Sequence, residues 1–222
     1  MRPLIRRAGG RGAPKPPGIP APNFDRGWDR CICIASGPSL THEQVALCAA
    51  ARPGWRVLVT NNTWERLPDA DVLYAGDQSW WEMHVKSVAD RFTGECWAGS
   101  RLIAHRTGIN YIKVRGTPGL SKEPGTVSSG SNSGYQAMGL AVRFGAREIV
   151  LVGYDMQLTY GMKHWHGDHP APLSQDVPVE HWRRCFDSLA ADLVVANIRV
   201  TNCTGESALE CFPRGDLATC LS

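Results

Sequence analysis

Ser128–Met156 reads SSGSNSGYQAMGLAVRFGAREIVLVGYDM, and its pattern decides the fold. A polar turn broken by glycine runs into an amphipathic stretch of helical period. A short charged corner follows, then an apolar strand over 148–152 that stops at Gly153-Tyr154-Asp155. Such a loop–helix–strand unit ends on a polar tip, and polar tips at the carboxyl ends of strands are where open α/β sheets hold ligands. The same unit starts near residue 31. Cys31-Ile32-Cys33-Ile34-Ala35 is an apolar strand that breaks at Ser36-Gly37-Pro38-Ser39-Leu40 into a helix over 41–51, with Ser39 or Thr41 as its N-cap.

Further units lie between these two. Strands are expected at 55–59, ending on Asn61-Asn62, and at 72–75, ending on Gly76-Asp77-Gln78. A helix is expected at 79–91, with short strands at 101–104 and 111–114. Residues 116–130, rich in glycine and proline, read as a loop. Helices at 131–144 and 179–196 and a last strand at 198–200 complete the pattern. The strands are apolar throughout rather than alternating, as in a sheet covered on both faces. The expectation is an α/β, Rossmann-like, doubly wound and mainly parallel sheet with helices on both faces.

With 222 residues and 43% hydrophobic content, the chain can bury one sizeable core. Residues 1–30 carry seven Lys or Arg against two acids, among many prolines and glycines, whereas the remainder is mildly acidic. They read as a flexible basic arm, and residues 31–222 as a single nucleotide-binding domain. The arm could make a weak nucleic-acid contact or remain a solvated tail. No apolar run there suits a signal peptide or a membrane span, so the expected compartment is the cytoplasm. Eight cysteines without a C-x-x-C pair then read as free, mostly buried thiols.

Candidate binding residues recur at successive strand ends. Ser36, Gly37, Pro38 and Ser39 offer a close backbone approach and a helix N-terminus. Asn61, Asn62 and Asp77 offer amides and a carboxylate to sugar hydroxyls or a base edge, although each could equally serve its own turn or helix cap. Ser131, Asn132 and Ser133 precede a helix start and suit a phosphate. Neither G-x-x-x-x-G-K-[ST] nor G-x-G-x-x-G is present, which disfavours ordinary ATPase and NAD sites.

Chemistry-bearing side chains are densest in Tyr160-Gly161-Met162-Lys163-His164-Trp165-His166-Gly167-Asp168-His169. A histidine there could act as general base. The H-x-H-x-D-H pattern could alternatively ligate a metal, or these could be ordinary loop residues.

Taken together, the G-P-S-L turn, the asparagine after the second strand, and the S-x-S-G helix leading to a strand that ends G-Y-D resemble glycosyltransferase family 42. These are the bacterial sialyltransferases, together with related uncharacterised Rossmann-like proteins common in phage and prophage genomes. The resemblance spans roughly residues 31–213. It implies a nucleotide-sugar donor, of CMP-sugar type, across the strand tips, and a transfer that requires no metal cofactor. It also implies that His166 deprotonates an acceptor, with His164 and His169 as competitors, and that Tyr160 contacts the donor phosphate. Ser36, Gly37, Asn61 or Asn62, and the Ser131–Ser133 turn would line the nucleotide. Ser207 would lie on the donor side, beyond the Asp155 tip. Members of this family are often oligomers. Ser36 stands where the sialyltransferases have an asparagine.

Two other readings remain beside this one. The G-P-S-L turn and His166-Gly167-Asp168 also resemble pterin diphosphokinase-like proteins, although in a different chain order. That resemblance implies a Mg²⁺-dependent diphosphokinase or phosphohydrolase using Asp77, Asp155, Asp168 and His169. The other is a phage accessory protein that binds without catalysis.

Overall fold

In a computed structural model, residues 24, 26–116, 118–168 and 178–222 are described. Strand β1 (Arg30–Ile34) leads to helix α1 (His42–Ala50), β2 (Arg56–Thr60), a 3-10 helix (Asn61–Glu65), β3 (Val72–Ala75), α2 (Gln78–Arg91) and β4 (Glu95–Ala98). The chain continues through α3 (Arg101–Thr107), β5 (Asn110–Tyr111), β6 (Lys113–Arg115), β7 (Thr126–Ser128), α4 (Ser133–Arg143) and β8 (Glu148–Val152). It ends with α5 (Val179–Val195), β9 (Arg199–Asn202) and α6 (Leu217–Leu221).

Seven strands form one sheet in the order β5-β4-β3-β2-β1-β8-β9. Every pair is parallel, with Cys31 opposite Arg56 on one side and Ile149 on the other. Alternate strand residues feed two separate cores. Cys31, Cys33, Leu58, Tyr74, Ile149 and Leu151 face α4 and α5. Ile32, Ile34, Val57, Val59, Leu73, Val150 and Val152 face α1, α2, α3 and α6. Both faces are covered, which explains the uninterrupted apolar strands. The fold is the expected α/β, Rossmann-like arrangement.

The chain first winds outward from β1 to the β5 edge. It then returns through β6, β7 and α4 to place β8 on the other side of β1. The strand order therefore reverses between β1 and β8, and a crevice opens there at the carboxyl ends.

Several local expectations need correction. Residues 101–104 are helical rather than extended, because the Ser100 hydroxyl caps α3 by accepting from the Ile103 N–H and Gly108 ends it at φ +78°. Strand β4, between Gly94 and Gly99, falls in a stretch for which no strand was expected. The strand expected at 111–114 is split at Ile112, whose N–H still bonds to Ala98 while the chain passes into a separate β6–β7 pair. Part of the expected 116–130 loop forms β7. The terminal helix α6 was also not anticipated.

Residues near the end of the expected arm are packed. Trp28 is buried and its N–H bonds to the Phe144 carbonyl, while Phe24 lies against Trp97. The Arg26 guanidinium sits over the Phe144 ring and pairs with Glu95. Residues 1–23 lie outside the described residues. All eight cysteines are free thiols, five of them buried. Among the described residues, no helix is long and apolar enough to cross a membrane.

Candidate functional site

Two glycines allow the tips of β1 and β8 to meet. The Gly37 N–H donates to the Gly153 carbonyl at 2.8 Å. A Cβ on Gly37 would lie 2.0 Å from Asp155 Oδ1, and one on Gly153, at φ +73°, would lie 2.5 Å from the Ala35 carbonyl. The close approach made by Gly37 is thus to the chain's own β8 tip. Asp155 is buried and accepts from the Ser39 N–H at 2.9 Å and the Ser39 hydroxyl at 2.7 Å. Burial raises its carboxyl above the usual range, and the Ser39 donors oppose that shift without cancelling it.

The turn after β1 also receives the histidine loop. The Trp165 N–H donates to the Ser36 carbonyl at 3.0 Å, and the Arg66 guanidinium covers the Trp165 ring at 3.9 Å. This docking brings His164 Nδ1 to 3.0 Å from Ser36 Oγ. The His166 ring lies parallel to that of His164, 5.1 Å away.

A cavity of about 360 Å³ occupies the crevice. Its floor comes from the strand tips, through Ser36, Gly37, Thr60, Asn61, Asp77 and Asp155. The start of α4 supplies Ser131, Asn132, Ser133 and Gly134. Lys163, His164 and Asp168 form another wall. The α4 terminus is anchored from both sides. Asn132 Oδ1 accepts from the Tyr135 N–H at 3.0 Å, and Ser133 Oγ accepts from the Gly76 N–H at 3.1 Å. Gln136 joins the Tyr74 hydroxyl to the Ser129 carbonyl beneath it. An anion at this end would meet the N–H groups of the first turn and the positive end of the helix dipole.

The two adjacent asparagines divide their roles. Asn62 is buried, and its Oδ1 accepts from Trp80 Nε1 at 2.7 Å, so it serves the core. Asn61 adopts φ +47° and lines the cavity, with its Oδ1 buried and lacking a hydrogen-bond partner among the described residues. That carbonyl is an acceptor the described residues leave unused.

The remaining candidates are distributed unevenly. Of the histidines, His164 lines the cavity and His166 is stacked outside the lining set. His169 lies outside the described residues. Tyr160 is 76% exposed at φ +55°, at the tip of a hairpin closed by the Thr159–Met162 bridge, and is not part of the wall. Pro38 shapes the turn without lining the cavity, and Ser39 spends its hydroxyl on Asp155. Ser207 lies behind the β8 tip, where its hydroxyl donates to the Tyr154 carbonyl at 2.7 Å and accepts from Asn202 Nδ2 at 3.0 Å. Its contacts are those of a structural brace rather than of a donor site.

Sequence reasoning passed over Thr60, Met156 and Trp182, which also line the cavity. Thr60 is the last residue of a strand and could have been found by extending the strand-tip rule one position. Trp182, in the first turn of α5, gave no signal, since only the winding of the chain brings that helix to the crevice. Among the described residues, no group of three or more His, Cys, Asp or Glu side chains is placed to hold a metal ion.

No family model and no curated protein matches the chain.

Proposed function

We propose that the protein is a nucleotide-sugar-dependent glycosyltransferase, sialyltransferase-like in its donor site, with His164 rather than His166 as the general base. The observation that carries this reading is the Ser36–His164 pair, 3.0 Å apart in the lining of a switch-point cavity whose opposite wall is a helix N-terminus.

In this reading the nucleoside lies across the β1 and β2 tips, with Asn61 Oδ1 accepting from it. The donor phosphate sits at the start of α4, near Lys163. An acceptor hydroxyl loses its proton to His164 and attacks the anomeric carbon. The bond from that carbon to the phosphate oxygen breaks, and its electron pair leaves with the nucleotide. First-turn N–H groups of α4 stabilise the leaving phosphate. With Nδ1–H donated to Ser36 Oγ, Nε2 of His164 is the basic nitrogen. The walls carry Asp77, Asp155 and Asp168 beside Lys163 and His164, which supports a donor with one phosphate over a more highly charged diphosphate.

A thermal-shift screen with CMP, UDP, GDP, ADP and CMP-sialic acid, each in EDTA and in Mg²⁺, tests this. Preferential binding to the folded state raises Tm. A shift with CMP and CMP-sialic acid that persists in EDTA is the expected result. A shift that needs Mg²⁺ and favours ADP would replace this reading with the diphosphokinase one, and no shift at all would refute nucleotide binding.

A further inference from the structure

We propose that Cys203 and Cys220 form a dithiol site that a small oxidised thiol, of the glutathione-disulfide class, closes to a cystine tying the C-terminal helix to the sheet. Their sulfurs lie 3.7 Å apart, in contact but unbonded, across 17 residues of chain.

Both thiols are held by their backbones. The Cys203 N–H extends the sheet by donating to the Leu151 carbonyl at 2.9 Å, and the Cys203 carbonyl accepts from Gln44 Nε2 at 3.3 Å. The Cys220 N–H donates to the Asp216 carbonyl at 3.0 Å within α6. Gly215 leaves the space the two sulfurs occupy: a Cβ there would lie 3.0 Å from Cys220 Sγ and 2.5 Å from Thr201 Cγ2. Cys203 is buried, whereas Cys220 is partly exposed, so an external reagent reaches Cys220 first.

The exchange balances without another reagent. The Cys220 thiolate attacks one sulfur of the small disulfide and expels one small thiol, leaving a mixed disulfide on Cys220. Cys203 loses its proton, attacks the Cys220 sulfur and expels the second small thiol. Two protein thiols are oxidised and one small disulfide is reduced. Burial, followed by the neighbouring Cys220, pushes the Cys203 thiol up to about 12, so closure accelerates with pH.

The staple has a place in the architecture. The 204–219 segment that it closes supports the β8 tip. Thr204 Oγ1 accepts from the Tyr154 N–H at 2.9 Å, and the Ala208 N–H donates to the Asp155 carbonyl at 2.8 Å. Closing a loop in the unfolded chain raises the stability of the folded one, here behind the proposed donor site and independently of what that site binds.

The test treats the folded Cys211→Ser protein, in which the other thiol of this segment is removed, with oxidised glutathione at rising pH. Proteolysis after Arg214 then separates the fragment with Cys203 from the fragment with Cys220. The expected product is a protein lighter by two hydrogens, with those fragments joined until dithiothreitol is added and with a higher Tm. In Cys203→Ser/Cys211→Ser, Cys220 should stop at the glutathione adduct. A lasting adduct on Cys220 in the Cys211→Ser protein, or oxidation elsewhere while Cys220 remains a thiol, would overturn the proposal.

Discussion

Asp155 grips Ser39 through both carboxylate oxygens, at 2.9 Å to the backbone N–H and 2.7 Å to the hydroxyl, so the tip of β8 holds the turn that follows β1. The residues between them in space are constrained accordingly. Gly37→Ala would drive a methyl group into Asp155 and Gly153, and should destabilise the fold by at least about 1–3 kcal/mol. Ser39→Ala removes one hydrogen bond to a carboxylate and should cost about 1.5–3 kcal/mol. Urea unfolding of both variants checks these values.

The same carboxylate has a pH signature. Its folded pKa is raised, chiefly by burial, so its contribution to stability is fully present below the unfolded value and is lost as pH rises through the folded one. The Tm advantage of the wild type over Asp155→Asn should therefore shrink between acid and neutral pH. An unchanged gap would contradict the shift.

Glu95 should behave in the opposite way. Burial alone would raise its carboxyl, but hydrogen bonds from Arg26 and Trp97 outweigh it and the net shift is downward. That contribution is present above the unfolded pKa and is lost as pH falls through the folded one. Glu95→Gln should accordingly show a shallower acid loss of Tm than the wild type. The pair also fixes the segment around Arg26, so limited proteolysis of Glu95→Gln should cut earlier near residues 24–28.

Asn61 and Asn62 separate binding from stability. Asn62→Ala leaves Trp80 Nε1 buried and unpaired, and should cost about 1–3 kcal/mol of stability. Asn61→Gly suits the left-handed backbone at φ +47° and removes a side chain whose Oδ1 has no hydrogen-bond partner among the described residues. It should leave the urea midpoint unchanged or slightly higher while weakening nucleotide binding by about tenfold, the equivalent of one lost hydrogen bond. Calorimetric titration with CMP beside urea melts distinguishes the two residues.

Much of the fold was legible because fully buried parallel strands write themselves as apolar runs. Val72–Ala75 and Glu148–Val152 stand in the sequence with their structural boundaries. Arg101–Thr107 was misread because Leu102-Ile103-Ala104 is a short apolar run with no period of its own, and the Ser100 cap and Gly108 stop decide it. The site was legible at the strand tips, where Ser36, Asn61 and Asp77 meet at one cavity as their positions implied. It was not legible in the histidine loop. Only Trp165 separates His164 from His166, and which one faces the cavity depends on Trp165 docking against Ser36. Nor could the sequence reveal that Gly37 and Ser39 are occupied by Asp155, a contact spanning more than a hundred residues.

The most direct test of the account follows release of CMP from CMP-sialic acid by wild-type, His164→Ala and His166→Ala proteins, in EDTA, with CMP affinity measured in parallel. The account predicts turnover by the wild type and a loss of about 10²–10⁴-fold in His164→Ala at nearly unchanged CMP affinity, the range expected for a general base. His166→Ala should retain most of its activity. Full activity in His164→Ala, or loss confined to His166→Ala, would contradict the assignment of the base to the residue paired with Ser36.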